Sequence, residues 1–375
     1  MAKSVSKLTQ SVHVGSVGDL QFGGIASPIY PSAAYDYDSL VRYPRYYNTP
    51  NQIAAADKLA ALEHGEAAML FSTGMASIMT AWFGLLRTGD HIIFQNDLYG
   101  GTHNAALVEL GKFGIEHTMV SASDPQNFER AIKKNTKLIF IETPSNPLLK
   151  ITDIAAVAKI AKKHGLLTMI DNTFASPVNQ NPIDLGIDIV MHSGTKYIGG
   201  HSDLMCGVIV TSKKLMEPIR QAGLHFGGSL DANTSWLVER SLKTIVIRVQ
   251  QQNKNALKVA QFLESESKVV AVNYPGLKTH PGHAIAKKQM PGGFGGMLSF
   301  EIKTSTDAFI KKLKLIRKAV SLGGVESIIS QPVKTSHVKL TAAERKAVGI
   351  SDKLVRLSVG IEDADDLIND IKQAL

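Results

Sequence analysis

The sequence predicts an α/β chain, with a mostly parallel central sheet followed by a smaller α+β unit. Three observations point there. Between residues 67 and 193, short apolar runs alternate with helical stretches, the pattern of right-handed βαβ units. Several of those runs break abruptly into hydroxyls, glycine or a carboxylate, and open α/β sheets place their ligands at such strand ends. Beyond about residue 245 the rhythm changes to fewer strands with flanking helices, an α+β pattern.

Taken in order, residues 1–48 read as an arm. They are rich in Gly, Ser, Pro and Tyr with no sustained period, and their aromatics need a surface to pack on. A helix starts at Thr49-Pro50-Asn51-Gln52, which supplies a cap hydroxyl, a proline at the first helical position and a glutamine three residues after the cap. It runs through Ile53, Ala56, Leu59 and Leu62 to Gly65, expected as its stop. Strand 67–71 then leads into Ser72-Thr73-Gly74-Met75, opening a helix to about Leu86. The alternation continues with strand 91–95, helix about 101–113, strand 115–120, helix 125–134, strand 137–142, helix 153–164 and strand 166–170.

Asp188-Ile189-Val190-Met191 is a further buried strand, breaking into His192-Ser193-Gly194-Thr195-Lys196-Tyr197-Ile198-Gly199-Gly200-His201. Residues 205–210 read as one more strand. Asp231 to about Phe262 is mostly helical and long enough to link two domains. Strands near 268–273, 296–302 and 354–359, with helices near 306–315 and 363–374, complete the chain. The expected division is an arm at 1–48, a large α/β domain at 49–245 and a C-terminal α+β domain at 246–375.

Composition narrows the function classes. The 375 residues are 44% apolar and 20% charged, ordinary for a globular protein. No apolar run is long enough to span a membrane, and Met1–Lys7 lacks the apolar core of a secretory leader. A single cysteine, Cys206, excludes an internal disulfide and any cysteine-rich metal site, so a cytoplasmic home is expected. The formal charge of +8 is scattered, without an aromatic-interleaved basic stripe, so no nucleic-acid partner is expected.

Four strand ends carry candidate chemistry beside Lys196, a lysine whose partial desolvation would ease loss of its proton and Schiff-base formation with a carbonyl. Ser72-Thr73-Gly74-Met75 offers backbone N–H groups at a helix start to an anion, with Ser193 and Thr195 as further donors. Taken alone that is a weak signal, because Ser and Gly cap many helices. Asp171 ends an apolar strand, where it either caps a turn or faces a protonated heterocycle and holds its proton. Asn146, in Glu142-Thr143-Pro144-Ser145-Asn146-Pro147, presents a donor and an acceptor from a loop fixed by two prolines. Tyr99, followed by Gly100 and Gly101, is an aromatic able to lie flat on a planar ligand. Phosphate donors, a stacking ring, an acid for a ring nitrogen and a Schiff-base lysine together specify pyridoxal 5′-phosphate (PLP). A dinucleotide fits poorly, since the glycine run Gly292-Gly293-Phe294-Gly295-Gly296 precedes a strand and opens no helix.

These residues, in this order and over nearly the whole chain, resemble the trans-sulfuration family of PLP-dependent enzymes of cysteine and methionine metabolism. Cystathionine synthases and lyases, methionine γ-lyase and O-acylhomoserine sulfhydrylases make up that group. The resemblance implies PLP fold type I, the aspartate-aminotransferase-like fold. It implies that Lys196 carries the cofactor, that Gly74, Met75, Ser193 and Thr195 bind its phosphate, and that Tyr99 stacks on its ring and shares proton transfer. It pairs Asp171, with Thr173 beside it, with the pyridine nitrogen. Asn146, Ser321 and Arg356 match the family's substrate-carboxylate contacts. Tyr43-Pro44-Arg45 is similar to a segment in which Tyr43 and Arg45 would reach the phosphate of a neighbouring subunit, within a homotetramer built as a dimer of dimers.

The chain departs from the family pattern at three places. Tyr47-Asn48-Thr49-Pro50 replaces the usual Gly-Asn-Pro-Thr, Gly101 stands where methionine γ-lyases carry cysteine, and Val320 stands where many cystathionine enzymes have glutamate. The implied activity is carbon–sulfur lysis, β- or γ-elimination from cystathionine or a related sulfur amino acid. The alternatives are γ-replacement on an O-acylhomoserine, as by a cystathionine γ-synthase or sulfhydrylase, and fold-type-I amino transfer.

Overall fold

The computed structural model describes residues 5–38, 40–335, 338, 341, 345 and 349–375. Among them, two sheets organise the chain. The first has seven strands: β1 (Ala67–Phe71), β2 (His91–Gln95), β3 (Glu116–Val120), β4 (Thr136–Glu142), β5 (Leu167–Asp171), β6 (Ile189–Ser193) and β7 (Gly207–Thr211). Their spatial order is β1-β7-β6-β5-β4-β2-β3. Pairing is parallel throughout except around β7, which runs antiparallel to both β1 and β6. Both faces of the inner strands are covered, so these read as near-continuous apolar runs, while the edge strand β3 is mixed. Ile139, Ile141, Ile170, Val190 and Val208 pack on one side, against the helices Pro50–Glu63 and Ile154–Lys163. Phe94, Phe140, Met169 and Ile209 pack on the other, against Trp82 and Ile219 from the helices Gly74–Leu85 and Lys213–Phe226.

The second sheet comprises β8 (Val269–Asn273), β9 (Met297–Ile302), β10 (Arg317–Lys318), β11 (Ile328–Ser330) and β12 (Leu354–Ser358), in the order β10-β11-β12-β9-β8. The 21-residue helix Ile245–Ser265 serves both cores. Its Val246 and Val249 join the core beneath the first sheet, while Val259, Ala260 and Leu263 join that of the second.

Local chemistry accounts for most element ends. The capping box at Thr49 and Gln52 forms as expected. The helix ends differently: His64, at φ 62°, takes the left-handed position expected of Gly65. Gly65 is instead required by close packing, since a Cβ there would meet Val210 Cγ1 at 2.3 Å. The helix expected over 125–134 shrinks to Gln126–Arg130, and that over 101–113 ends at Val108 and continues as a 3-10 turn. The arm is not wholly irregular, because Ser6 caps a helix over Lys7–His13. The helices Lys213–Phe226 and His283–Gln289 and the short strands β10 and β11 add to the elements the sequence predicts. Among the described residues no helix is long and apolar enough to cross a membrane.

Candidate active site

A cavity of about 470 Å³ lies at the C-terminal ends of β1, β2, β4, β5 and β6, closed on one side by residues of the second sheet. It brings together Gly74, Met75, Tyr99, Asn146, Asp171 and Thr173 with Ser193, Thr195, Lys196, Ser321 and Arg356. These residues span more than 280 positions of sequence, and the parallel strand order gathers all but two of them onto one edge.

At the end of β1, the Thr73 hydroxyl accepts the Ala76 N–H at 3.0 Å and starts the helix Gly74–Leu85. The first N–H groups of a helix have no intrahelical partner, so those of Gly74 and Met75, at the cavity wall, are available to an anion. At the end of β5, Asp171 Oδ1 accepts the Thr173 N–H at 3.0 Å. Thr173 Oγ1 in turn accepts the Ser193 N–H at 2.8 Å, tying the ends of β5 and β6 together. Burial raises the Asp171 pKa, and hydrogen bonds from Thr173 and the nearby charges of His192 and Lys196 work against that rise. Thr195 Oγ1 accepts the Cys206 N–H at 3.1 Å, which anchors the Lys196 loop to the start of β7.

Lys196 Nζ donates to Ser321 Oγ at 2.7 Å. Burial, helped by the positive charge of Arg356 and opposed by Asp171, lowers the amine to about 8. Arg356, from β12, donates through Nη1 to Asn146 Oδ1 and through Nη2 to the Ser321 carbonyl, both at 3.0 Å. Burial pulls its guanidinium down to about 10, which leaves it charged at neutral pH. Ser321 holds φ at 81°, a conformation uncommon outside glycine. A non-glycine residue kept there, with its hydroxyl on Lys196 and its carbonyl on Arg356, marks a constrained part of the site.

Glu142, at the start of the two-proline loop, is a further polar residue of the site. It ends β4 directly beside Asp171, their Cα positions paired across β4 and β5. Its carboxyl accepts the backbone N–H of Tyr99 at 2.6 Å and of Asn146 at 3.2 Å. Burial first, and then the neighbouring Asp171, push its pKa well above the usual carboxylate range. The signal available in the sequence was a carboxylate closing an otherwise apolar strand. Val320 and Met205 stand at the mouth, 66% and 63% exposed.

Tyr43 and Arg45 do not line this cavity. Arg45 donates to the Leu224 carbonyl, and its guanidinium lies 5.8 Å and 5.4 Å from the ring centres of Tyr43 and Tyr46. The exposed arm around them carries Leu20, Phe22 and Ile25, each more than 80% accessible. An amine of lowered pKa, a helix start, a buried acid and a guanidinium fork thus surround one small cavity. That set can hold an amino acid by its carboxylate and move protons at its α-carbon.

Comparison with known proteins gives a consistent picture. The profile of the Cys/Met metabolism PLP-dependent enzymes matches residues 8–375. A cystathionine gamma-lyase of Bacillus subtilis is 45% identical over 99% of both chains. A cystathionine beta-lyase of Lactococcus lactis is 44% identical over 98% of both. The crystal structure of a cystathionine gamma-lyase from Lactobacillus plantarum complexed with L-serine superposes with a TM-score of 0.95 at 41% identity, covering 99% of this chain and 98% of that one.

Proposed function

The chain belongs to the Cys/Met metabolism PLP-dependent enzymes, and from that premise we propose that it eliminates the sulfur-bearing group of cystathionine or a closely related sulfur amino acid. It is a carbon–sulfur lyase of fold type I that uses pyridoxal 5′-phosphate and takes an amino-acid substrate. The observation that carries the proposal is the juxtaposition of the Lys196 amine, lowered to about 8, with Ser321 and the Arg356–Asn146 pair.

The donor set suits the cofactor. Gly74, Met75, Ser193 and Thr195, all in the cavity lining, would supply N–H and hydroxyl donors for a phosphate, and Asp171, with Thr173 beside it, would face the ring nitrogen. Tyr99 supplies a ring face, and Lys196 an amine for the aldehyde. A protonated ring nitrogen against Asp171 would offset the burial that now disfavours its carboxylate. When bound, pyridoxal 5′-phosphate supplies the electron sink for the substrate's α-carbanion.

The residues divide the remaining work. Arg356 binds the substrate carboxylate through its planar fork, with Asn146 and Ser321 completing the contact. Lys196 Nζ takes the α-proton, which its lowered pKa permits near neutrality. Lys196 and the Tyr99 hydroxyl then return protons as the sulfur leaves. Glu142 keeps Tyr99 and Asn146 in place through their backbone N–H groups.

In this reading the chain forms an arm at 1–48, a cofactor domain at 49–245 and a C-terminal domain at 246–375. The arm carries Tyr43 and Arg45 to the phosphate of a neighbouring subunit in a cytoplasmic homotetramer. The exposed apolar side chains of the arm support that assignment, since such a stretch is ordinarily covered.

One assay tests the proposal. Purified protein is given cystathionine, methionine, cysteine and O-acetylhomoserine, with pyruvate and 2-oxobutyrate measured separately. Pyruvate from cystathionine marks β-elimination and 2-oxobutyrate marks γ-elimination. Release of neither from any thioether, with product formed only from O-acetylhomoserine and a thiol, would replace the lyase reading by γ-replacement. Val320 bears on this second reading, since it offers no carboxylate to the distal ammonium of cystathionine and leaves an apolar wall, as in sulfhydrylases, methionine γ-lyases and some β-lyases.

A further inference from the structure

The helix Ile245–Ser265 carries three buried polar side chains, Arg248, Gln252 and Asn255, spaced four and three apart and therefore on one face. Each directs at least one donor to a main-chain carbonyl of a different site-bearing segment. Arg248 donates to Tyr197 O at 2.9 Å, Ile198 O at 3.4 Å and Ser241 O at 2.9 Å. The first two carbonyls immediately follow Lys196. Gln252 Nε2 donates to Gly324 O at 2.8 Å, three residues beyond Ser321. Asn255 Nδ2 donates to Gly360 O at 3.0 Å and Glu362 O at 2.7 Å, just past the strand that bears Arg356. None of the three lines the cavity.

Two of these side chains are costly choices for a helix that needs only to pack. Among the described residues, Arg248 has no carboxylate partner, so its buried charge is met by neutral oxygens alone. Gln252 uses its amide donor while its Oε1 has no protein partner among the described residues. Hydrophobic side chains would fill the same space without that penalty. The close fit is specific as well: Gly200, at φ +71°, lies so near that a Cβ would meet Arg248 Nη1 at 1.8 Å. Gly200 N–H bonds to Lys196 O at 2.7 Å, and Gly200 O accepts the Val325 N–H at 2.9 Å, so the segments held by Arg248 and Gln252 also touch each other.

We infer that this helix face is a positioning ruler, on which Arg248, Gln252 and Asn255 fix the spacing between the Lys196 amine and the carboxylate clamp of Ser321 and Arg356. The three act through main-chain atoms and contact no reactant, so they are positioning residues. The inference rests on the assignment of Lys196, Ser321 and Arg356 made above. It separates their roles: Arg248 governs the lysine segment, whereas Gln252 and Asn255 govern the clamp.

The test uses the holoenzyme and its Arg248→Met, Arg248→Lys, Gln252→Leu and Asn255→Leu variants. Three readouts are taken: the visible absorption of bound cofactor against pH without substrate, KM and kcat on the active thioether, and the thermal midpoint. Arg248→Met should move the absorption titration by roughly one pH unit and lower kcat, with Arg248→Lys restoring part of both. Gln252→Leu and Asn255→Leu should leave the titration in place and raise KM about tenfold or more. Lower thermal midpoints with titration and KM unchanged in every variant would overturn the ruler and leave the face purely structural. The same pattern from all three positions would overturn the division of roles. If Arg248→Met yields no folded protein, Arg248→Lys and Gln252→Leu carry the same two opposed expectations. A Lys196→Ala control that keeps the wild-type absorption band would instead refute the site assignment itself.

Discussion

Arg356 and Asn146 meet through a 3.0 Å hydrogen bond from Nη1 to the amide oxygen, although 210 residues separate them. One comes from the middle of β12 in the second sheet, the other from the loop after β4 in the first. The Arg356–Asn146 pair is therefore a property of the interface between the two sheets, and neither side provides it alone. Arg356 spends its second fork arm on the Ser321 carbonyl, which leaves the guanidinium fixed in plane.

Replacing Arg356 with Lys keeps the charge and loses the fork. Because a point charge cannot hold Asn146, Ser321 and a carboxylate together, kcat/KM should fall roughly 10- to 100-fold, mostly through KM. Steady-state kinetics on the active amino acid measure this. An unchanged KM would remove Arg356 from carboxylate recognition.

The Lys196 amine, lowered to about 8, gives a pH test. Deprotonation is favoured as pH rises, so at pH 7 only about a tenth of the cofactor-free enzyme carries the neutral amine. The rate at which cofactor-free enzyme takes up pyridoxal 5′-phosphate should climb about tenfold per pH unit below 7 and level off above 8. After burial, Arg356 is the next cause of the lowered value, so Arg356→Met should move the break to higher pH. A rate still climbing at pH 10 in the wild type would mean an ordinary, solvated lysine.

Most of the parallel strands were legible because they are apolar runs ending in turn chemistry, whereas β3 (Glu116-His117-Thr118-Met119-Val120) is an edge strand of mixed polarity, and the strand ends carry most of the cavity residues. What the sequence hid has physical causes. The helix Lys213–Phe226 contains Pro218, which argues against a helix even though Lys213, Lys214, Glu217 and Arg220 recur at helical spacing on one face. Strands β10 and β11 are two and three residues long, too short to show a period of two. His64 displaced Gly65 as the helix stop because Gly65 is needed against Val210, a tertiary demand with no local signature. Glu142 was unremarked because its partners are backbone N–H groups four and 43 residues away.

Glu142 should prove as sensitive as the residues it supports. Glu142→Ala removes the acceptor for both the Tyr99 and the Asn146 N–H, and should lower kcat/KM about 5- to 100-fold. Glu142→Gln retains one amide oxygen as acceptor and should recover part of the loss. Equal, wild-type activity in both variants would make the carboxyl a bystander.

In the second unit, Asp370 accepts the backbone N–H groups of Lys314, Leu315 and Ile316 at 2.8, 2.9 and 2.9 Å. Burial pushes its pKa up, yet these bonds outweigh that and leave it below the ordinary value. A depressed folded-state pKa means the stabilisation is complete above the unfolded pKa near ~3.9 and is lost as pH falls through the folded value. Asp370→Ala should cost about 2 kcal/mol or more at pH 7, measured by urea unfolding. The gap from wild type should narrow below about pH 4.

Val320 offers the means to steer substrate choice. It stands 66% exposed at the cavity mouth, immediately before Ser321, whose carbonyl and hydroxyl bind Arg356 and Lys196. By the resemblance to cystathionine enzymes with glutamate at this position, a carboxylate placed there would face the part of a bound amino acid that lies beyond the leaving sulfur. Cystathionine carries an ammonium group at that end, and methionine carries only a methyl. Val320→Glu should therefore raise kcat/KM for cystathionine relative to methionine. The site is open to water, which limits the attraction to about 0.5–1 kcal/mol, or roughly two- to fivefold. Screening supplies the discriminating measurement: at 0.5 M salt the gain should shrink toward unity, since the Debye length there is well below ~8 Å. A gain that persists in high salt would point to a reshaped wall in place of the added charge, and no gain at low salt would place the distal ammonium elsewhere in the cavity.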